Sequence, residues 1–153
     1  EEVGERGALI AAKQVNPDLA IVFEGCPADD TAETPEMIQS AMGKGPMLRY
    51  FDVSMITNPE FQEYALEIAK INKIPVQVSV RSGGGTNGMA ITQVQGAPTI
   101  VVGIPVRYAH TPHCYVDFQD YQAAKELVIQ LIKNLDADKI QALVQPLSKE
   151  WNK

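Results

Sequence analysis

At 153 residues the chain is long enough for one domain with a full core and too short for two of ordinary size. It is 45% hydrophobic and 21% charged, with no apolar run long enough to span a bilayer, the composition of a soluble globular protein. A net charge of −6 without a basic stripe argues against nucleic acid or an anionic membrane as a partner, and two cysteines, Cys26 and Cys114, are too few for a disulfide scaffold, so a reduced, cytoplasmic protein is expected.

The chain opens on adjacent carboxylates, Glu1-Glu2, then Val3-Gly4 and a helix-like run from Glu5 to Val15. The Asn16-Pro17-Asp18 turn leads into Ala20-Ile21-Val22-Phe23, a continuous apolar run that reads as a buried strand ending at Glu24. Thr34-Pro35-Glu36 carries an N-cap, a proline at the first helical position and an acid in the first turn, which predicts a short helix. Met47 to Asp52 reads as a strand, and Asn58-Pro59-Glu60 repeats the helix-start signal, with Phe61, Ala65, Ile68 and Ala69 at helical spacing up to Asn72. Strands are expected over 75–80 and 98–106, separated by the glycine-rich turn 83–88 and a helix from Met89 to Gln95. Asp117 caps the longest helix, with the face Phe118, Tyr121, Ala124, Val128, Leu131 and Leu135; a last helix from Ala137 to Val144 is ended by Pro146. Strands alternating with helices indicate a layered α/β sandwich with a mixed or parallel sheet, and its chemistry is expected along one rim at the strand ends.

Four segments carry that chemistry. Adjacent carboxylates such as Glu1-Glu2 can divide metal-assisted hydrolysis, one as general base and one as metal ligand, although such a dipeptide is elsewhere a solvated surface pair. Glu24 is either a ligand at a strand end or an ordinary turn residue. The run Gly83-Gly84-Gly85-Thr86-Asn87-Gly88 lets a ligand approach the backbone and presents free N–H groups to an anion or carboxylate; alternatively it is only a tight strand-to-helix turn, and it lacks the lysine and spacing of a nucleotide loop. Both histidines of the chain, His110 and His113, lie in Arg107-Tyr108-Ala109-His110-Thr111-Pro112-His113. Pro112 breaks helical geometry between them, so one at most serves a metal through this segment.

Taken in order, Glu1-Glu2-Val3-Gly4 with Arg6-Gly7-Ala8, Pro17-Asp18 before the strand that reaches Glu24, Gly83-Gly84-Gly85-Thr86, and Pro105-Val106-Arg107-Tyr108-Ala109-His110-Thr111-Pro112 resemble the M42 metallo-aminopeptidases. That glutamyl or deblocking aminopeptidase and endoglucanase-M-like group is matched over nearly the whole chain. The resemblance implies a three-layer α/β/α sandwich of the zinc-peptidase kind, with a mixed, largely parallel sheet, and a site for two divalent ions, zinc or cobalt. It implies Glu1 as general base, Glu2 and His110 as ligands sharing one ion, and Glu24 as ligand to the other; with Pro112 between the histidines, His113 is then expected not to be a ligand. Gly84, Gly85 and Thr86 are candidate substrate contacts; Arg81 and Arg107 either offer charge to an acidic substrate side chain or are structural. Asn87 and Cys114 depart from the acidic residues common in the family at those positions, which bears on specificity.

Members of the family draw one histidine ligand, the metal-bridging aspartate and an inserted dimerisation domain from upstream sequence. Residues 1–153 therefore read as the C-terminal segment of a metallopeptidase catalytic domain, incomplete at its N-terminal side. The complete protein is expected to be a cytoplasmic, homo-oligomeric two-metal aminopeptidase acting on peptides. The segment alone is expected to hold metal weakly or not at all and to be inactive; the alternative is a non-catalytic folded core or assembly module of a peptidase-like oligomer.

Overall fold

The structure, a computed structural model, describes residues 1–144; the helix-ending role expected for Pro146 lies outside the described residues. Five strands and five helices follow one another as α1 (Arg6–Val15), β1 (Ala20–Pro27), β2 (Met47–Phe51), α2 (Pro59–Ile71), β3 (Gln77–Val80), α3 (Asn87–Gln95), β4 (Thr99–Arg107), β5 (Tyr115–Val116), α4 (Phe118–Lys133) and α5 (Ala137–Val144). The strands form one mixed sheet in the order β1-β4-β2-β3, with β5 paired to β4. β1 runs parallel to β4 and β2 parallel to β3, whereas β2 and β5 run antiparallel to β4.

Side chains alternate across the sheet with a period of two, and this builds the layers. Ile100 and Val102 of β4 enter the larger core with Leu48, Phe61 of α2, Leu127 and Leu131 of α4, and Leu143 of α5. Val101 points the other way and joins Val22, Met55 and Met89 beneath α3, on which α1 also packs. The result is an α/β/α sandwich. No helix among the described residues is long and apolar enough to cross a membrane.

Helix starts follow the caps read in the sequence. The Asn58 side chain accepts from the Phe61 N–H at 2.8 Å, and the Asp117 side chain accepts from the Gln119 N–H at 2.7 Å. Thr34-Pro35-Glu36, in contrast, makes a turn and not a helix. The Met37 N–H closes one turn on the Thr34 carbonyl, but the amides of Gln39 and Ser40 donate to the Asp29 carboxylate instead of continuing a helical ladder. The exposed face of α4 also differs from expectation. Phe118 and Tyr121 stand exposed and stack on each other with centroids 5.9 Å apart. Asp120 takes the inward position because its carboxylate receives the Gly43 and Gly45 N–H groups, each at 2.7 Å. Glu24, finally, does not end its strand: β1 continues to Pro27 because parallel pairing with β4 continues to Val106.

Candidate functional site

Glu1 and Glu2 are placed by a tight turn. The Gly4 and Glu5 N–H groups both donate to the Glu1 carbonyl at 2.9 Å, and Gly4, at φ 100°, supplies the positive dihedral that this reversal requires. Glu24 lies two residues after Val22 on β1 and so projects from the sheet face that α1 and α3 cover. His110 follows β4 in a turn where Tyr108 and His110 both hold left-handed backbone, at φ 58° and 62°. Such conformations are strained for residues with a Cβ and gather where geometry is set by function. The Thr111 hydroxyl, which donates to the Tyr108 carbonyl at 2.7 Å, braces this turn.

These segments meet at one cleft of about 680 Å³, lined by Glu1, Glu2, Glu24, His110, Arg81 and the glycine run 83–85. His110 Nδ1 lies 3.6 Å from Glu2 Oε1, with both side chains largely exposed. Glu24 stands against Glu1. Burial is the main cause that pushes the Glu24 carboxyl up to about 8, and the charge of Glu1, a hydrogen bond shared with it and the charge of Glu2 add to the effect, while Arg49 opposes it. One Glu24 oxygen, Oε2, is buried without a hydrogen-bond partner among the described residues.

The structure separates the other candidates. Gly84, Gly85 and Arg81 line the cleft. Arg81 is also held in place, donating to Asp29 at 3.0 Å and to the Pro27 carbonyl at 2.9 Å. Thr86 is fully buried and serves as the cap of α3, accepting from the Gly88 N–H at 3.2 Å. Arg107 lies outside the cleft lining and forks onto Asp30 with bonds of 2.9 and 2.8 Å, which hold the Asp30 carboxyl below its usual range. His113 is exposed and does not line the cleft.

Three groups behind the cleft are not apparent from the sequence. Arg49 of β2 is buried and lines the cleft floor, donating to Asp52 at 2.9 Å and to Cys26 Sγ at 3.1 Å. Burial raises the Asp52 carboxyl, but bonds from Ser54 and Arg49 outweigh that and leave it below the usual range. Cys26, fully buried, has its thiol pushed up to about 11 by burial against the opposing charge of Arg49. The only sequence signal for this cluster was an arginine inside the otherwise apolar start of the run Met47 to Phe51, with an acid three residues on. Glu5, also in the cleft lining, was read only as the start of a helix.

Carboxylates and an imidazole are the donors that zinc-like divalent ions accept, and an apposed carboxylate pair with an unpartnered oxygen is an arrangement that a cation relieves. The donors come as two pairs, Glu2 with His110 and Glu24 with Glu1. Among the described residues, no three such groups stand close enough to hold an ion by themselves.

The sequence as a whole answers to a known family: residues 1–127 match the M42 glutamyl aminopeptidases. The chain belongs to that family. It is 31% identical over 140 residues to the glutamyl aminopeptidase of Lactococcus lactis, covering 92% of this chain and 39% of that protein. A TET aminopeptidase from a marine sediment archaeon of the Thaumarchaeota superposes with a TM-score of 0.90 and 40% identity, covering 94% of this chain and 40% of that one. The TET1 peptidase of Pyrococcus horikoshii, which assembles into a tetrahedron or a large octahedral shell, superposes at 0.74 with 28% identity, over 88% of this chain and 39% of that one. This M42 chain thus spans about 40% of the length of the relatives it matches.

Proposed function

We propose that the protein to which this M42 chain contributes is a co-catalytic two-metal aminopeptidase that removes N-terminal residues from peptides. In this reading Glu1 is the general base, and Glu2, Glu24 and His110 are metal ligands. The observation that carries it is the meeting of these four side chains, drawn from three separate segments, in one cleft as the pairs Glu2–His110 and Glu1–Glu24. Divalent ions held there would acidify a water and polarise the scissile carbonyl. Glu1 takes the proton of the attacking water and returns it to the leaving amine. The side-chain-free run 83–85 lets an extended peptide backbone lie against the wall, and the Arg49–Asp52 pair fixes the floor beneath Glu24.

In this reading the chain supplies part of the catalytic domain, and the remaining ligands and the contacts of a homo-oligomer come from the rest of the protein. Assembly of the P. horikoshii relative supports the oligomer, and two free cysteines support a reduced, cytoplasmic setting.

The test is the complete protein loaded with zinc or cobalt and assayed on aminoacyl anilides and their N-acetylated forms. Glu1→Gln is expected to lower kcat by roughly 10²–10⁴-fold with metal content retained, and the acetylated substrates are expected to survive. Undiminished turnover by Glu1→Gln would refute the assignment of the base.

A further inference from the structure

Among the carboxylates lining the cleft, Glu5 is the one to which the proposed chemistry gives no task. It is only 9% exposed, and its Oε2 is buried without a hydrogen-bond partner among the described residues. Its position is fixed: φ is 55°, the N–H is held by the Glu1 carbonyl, and α1 begins at the next residue. The other oxygen, Oε1, lies against Gly85, where an added Cβ would stand 3.2 Å away, and both residues line the cleft.

The neighbouring charges are paired elsewhere, although the Nε of Arg49 and of Arg81 is buried without a hydrogen-bond partner among the described residues. The Ser54 hydroxyl, beside Gly85, donates to Asp52 at 2.6 Å. Arg49 pairs with Asp52 and Arg81 with Asp29, so each arginine lining the cleft has its own carboxylate. Among the described residues Glu1, Glu2, Glu5 and Glu24 have no such ion-pair partner apart from His110 beside Glu2, although the charge of Arg49 acts on Glu24 and that of the α-ammonium on Glu5. With Glu2 and Glu24 serving metal ions in that reading, Glu5 remains as a buried carboxyl in the cleft lining. Burial, and then the charges of Glu1 and Asp52, push its carboxyl up, an effect that a cationic guest would offset.

We infer that Glu5 is the specificity residue of this cleft and receives the side-chain cation, ammonium or guanidinium, of a basic first residue of the peptide. The inference rests on the aminopeptidase reading for the identity of the guest. A peptide also carries an α-ammonium of the same chemistry. That group is one carbon from the scissile carbonyl and in this reading lies with the attacking water at Glu1, and a ligand carrying only the side-chain cation separates the two cases. The preference runs opposite to an acidic substrate, for which Arg81 and Arg107 were the candidates and for which neither is free.

The test is an NMR titration of the 153-residue chain with lysinamide, leucinamide and pentylamine, following the Glu5 and Gly85 amide resonances. Lysinamide is expected to bind about tenfold or more tightly than leucinamide, and pentylamine, which carries only the side-chain cation, to shift the same two resonances. Glu5→Gln, and independently Glu5→Asn, which accepts left-handed backbone, are expected to equalise lysinamide and leucinamide in the chain and to leave the zinc content of the complete protein unchanged. Equal binding by the unaltered chain would assign the cation site to the α-ammonium and overturn the proposal, whatever the variants do. Loss of zinc in either variant would make Glu5 a ligand and overturn it as well. In the metal-loaded complete protein, either variant is expected to lower the ratio of lysyl to leucyl kcat/KM by about tenfold. Failure of that protein to cleave any aminoacyl anilide would sink the aminopeptidase reading alone, since the amide titration judges Glu5 separately.

Discussion

His110 Nδ1 and Glu2 Oε1 lie 3.6 Å apart although they come from the turn after β4 and from the start of the chain. Parallel pairing of β1 with β4 sets the ends of both strands on one rim of the sheet, α1 connects the start of the chain to β1, and the turn wound on the Glu1 carbonyl places Glu2. The pair predicts a ranking of the two histidines. In the complete protein, His110→Ala is expected to remove one metal ion per subunit, measured by elemental analysis, and His113→Ala to retain both ions and most of the activity. The opposite ranking would assign the wrong ring.

Glu24 predicts the pH dependence of the metal-free chain. Its carboxyl is raised from an ordinary value of 4.5 to about 8 in the folded state, burial being the first cause. Below pH 4.5 both folded and unfolded chains keep the proton. Between 4.5 and about 8 the unfolded chain releases it first, so stability falls as pH rises and the decline ends above the folded value. Allowing for solvent screening of a partly exposed pair, the loss is about 1–2 kcal/mol. Urea unfolding across this window is expected to show the decline in the unaltered chain, and Glu24→Gln to flatten it. A chain that gains stability over the same window would contradict the Glu24–Glu1 apposition.

The two cysteines are expected to differ in reactivity. Cys114 is exposed, whereas Cys26 is buried against Arg49 with its thiol raised to about 11. Titration with a chromogenic disulfide at pH 8 is expected to release one equivalent quickly and the second only on unfolding. Two fast equivalents would show that the floor of the cleft opens.

Arg49 is expected to matter for stability before it matters for chemistry. Its Asp52 partner is fully buried, and removing the guanidinium leaves that charge without its ion pair. Arg49→Ala is expected to cost about 3–5 kcal/mol in chemical denaturation. A loss below ~1 kcal/mol would show that the three bonds to Asp52 from Ser54 and Met55 suffice without the arginine.

The elements visible in the sequence were those whose signals are local. Asn58-Pro59-Glu60 and Asp117 started helices because their caps need only the next few residues. Thr34-Pro35-Glu36 carried the same signal and failed because Asp29 captures the amides that a helix would have used. The inward face of α4 depended on Gly43 and Gly45 meeting Asp120 across the fold, a contact that periodicity does not encode. The site divides in the same way. Motif order brought out Glu1, Glu2, Glu24 and His110, while Glu5 and Arg49 acquire meaning only from burial and from the neighbours that the fold gives them.

The most direct test of the central claim is anomalous diffraction from crystals of the complete protein equilibrated with zinc. Two peaks per subunit about 3.5–4 Å apart are expected, one bonded to Glu2 and His110 and the other to Glu24, with Glu1 bonded to neither. Absence of both peaks at saturating zinc, or peaks bonded to other residues while Glu2 and His110 stay free, would contradict the assignment.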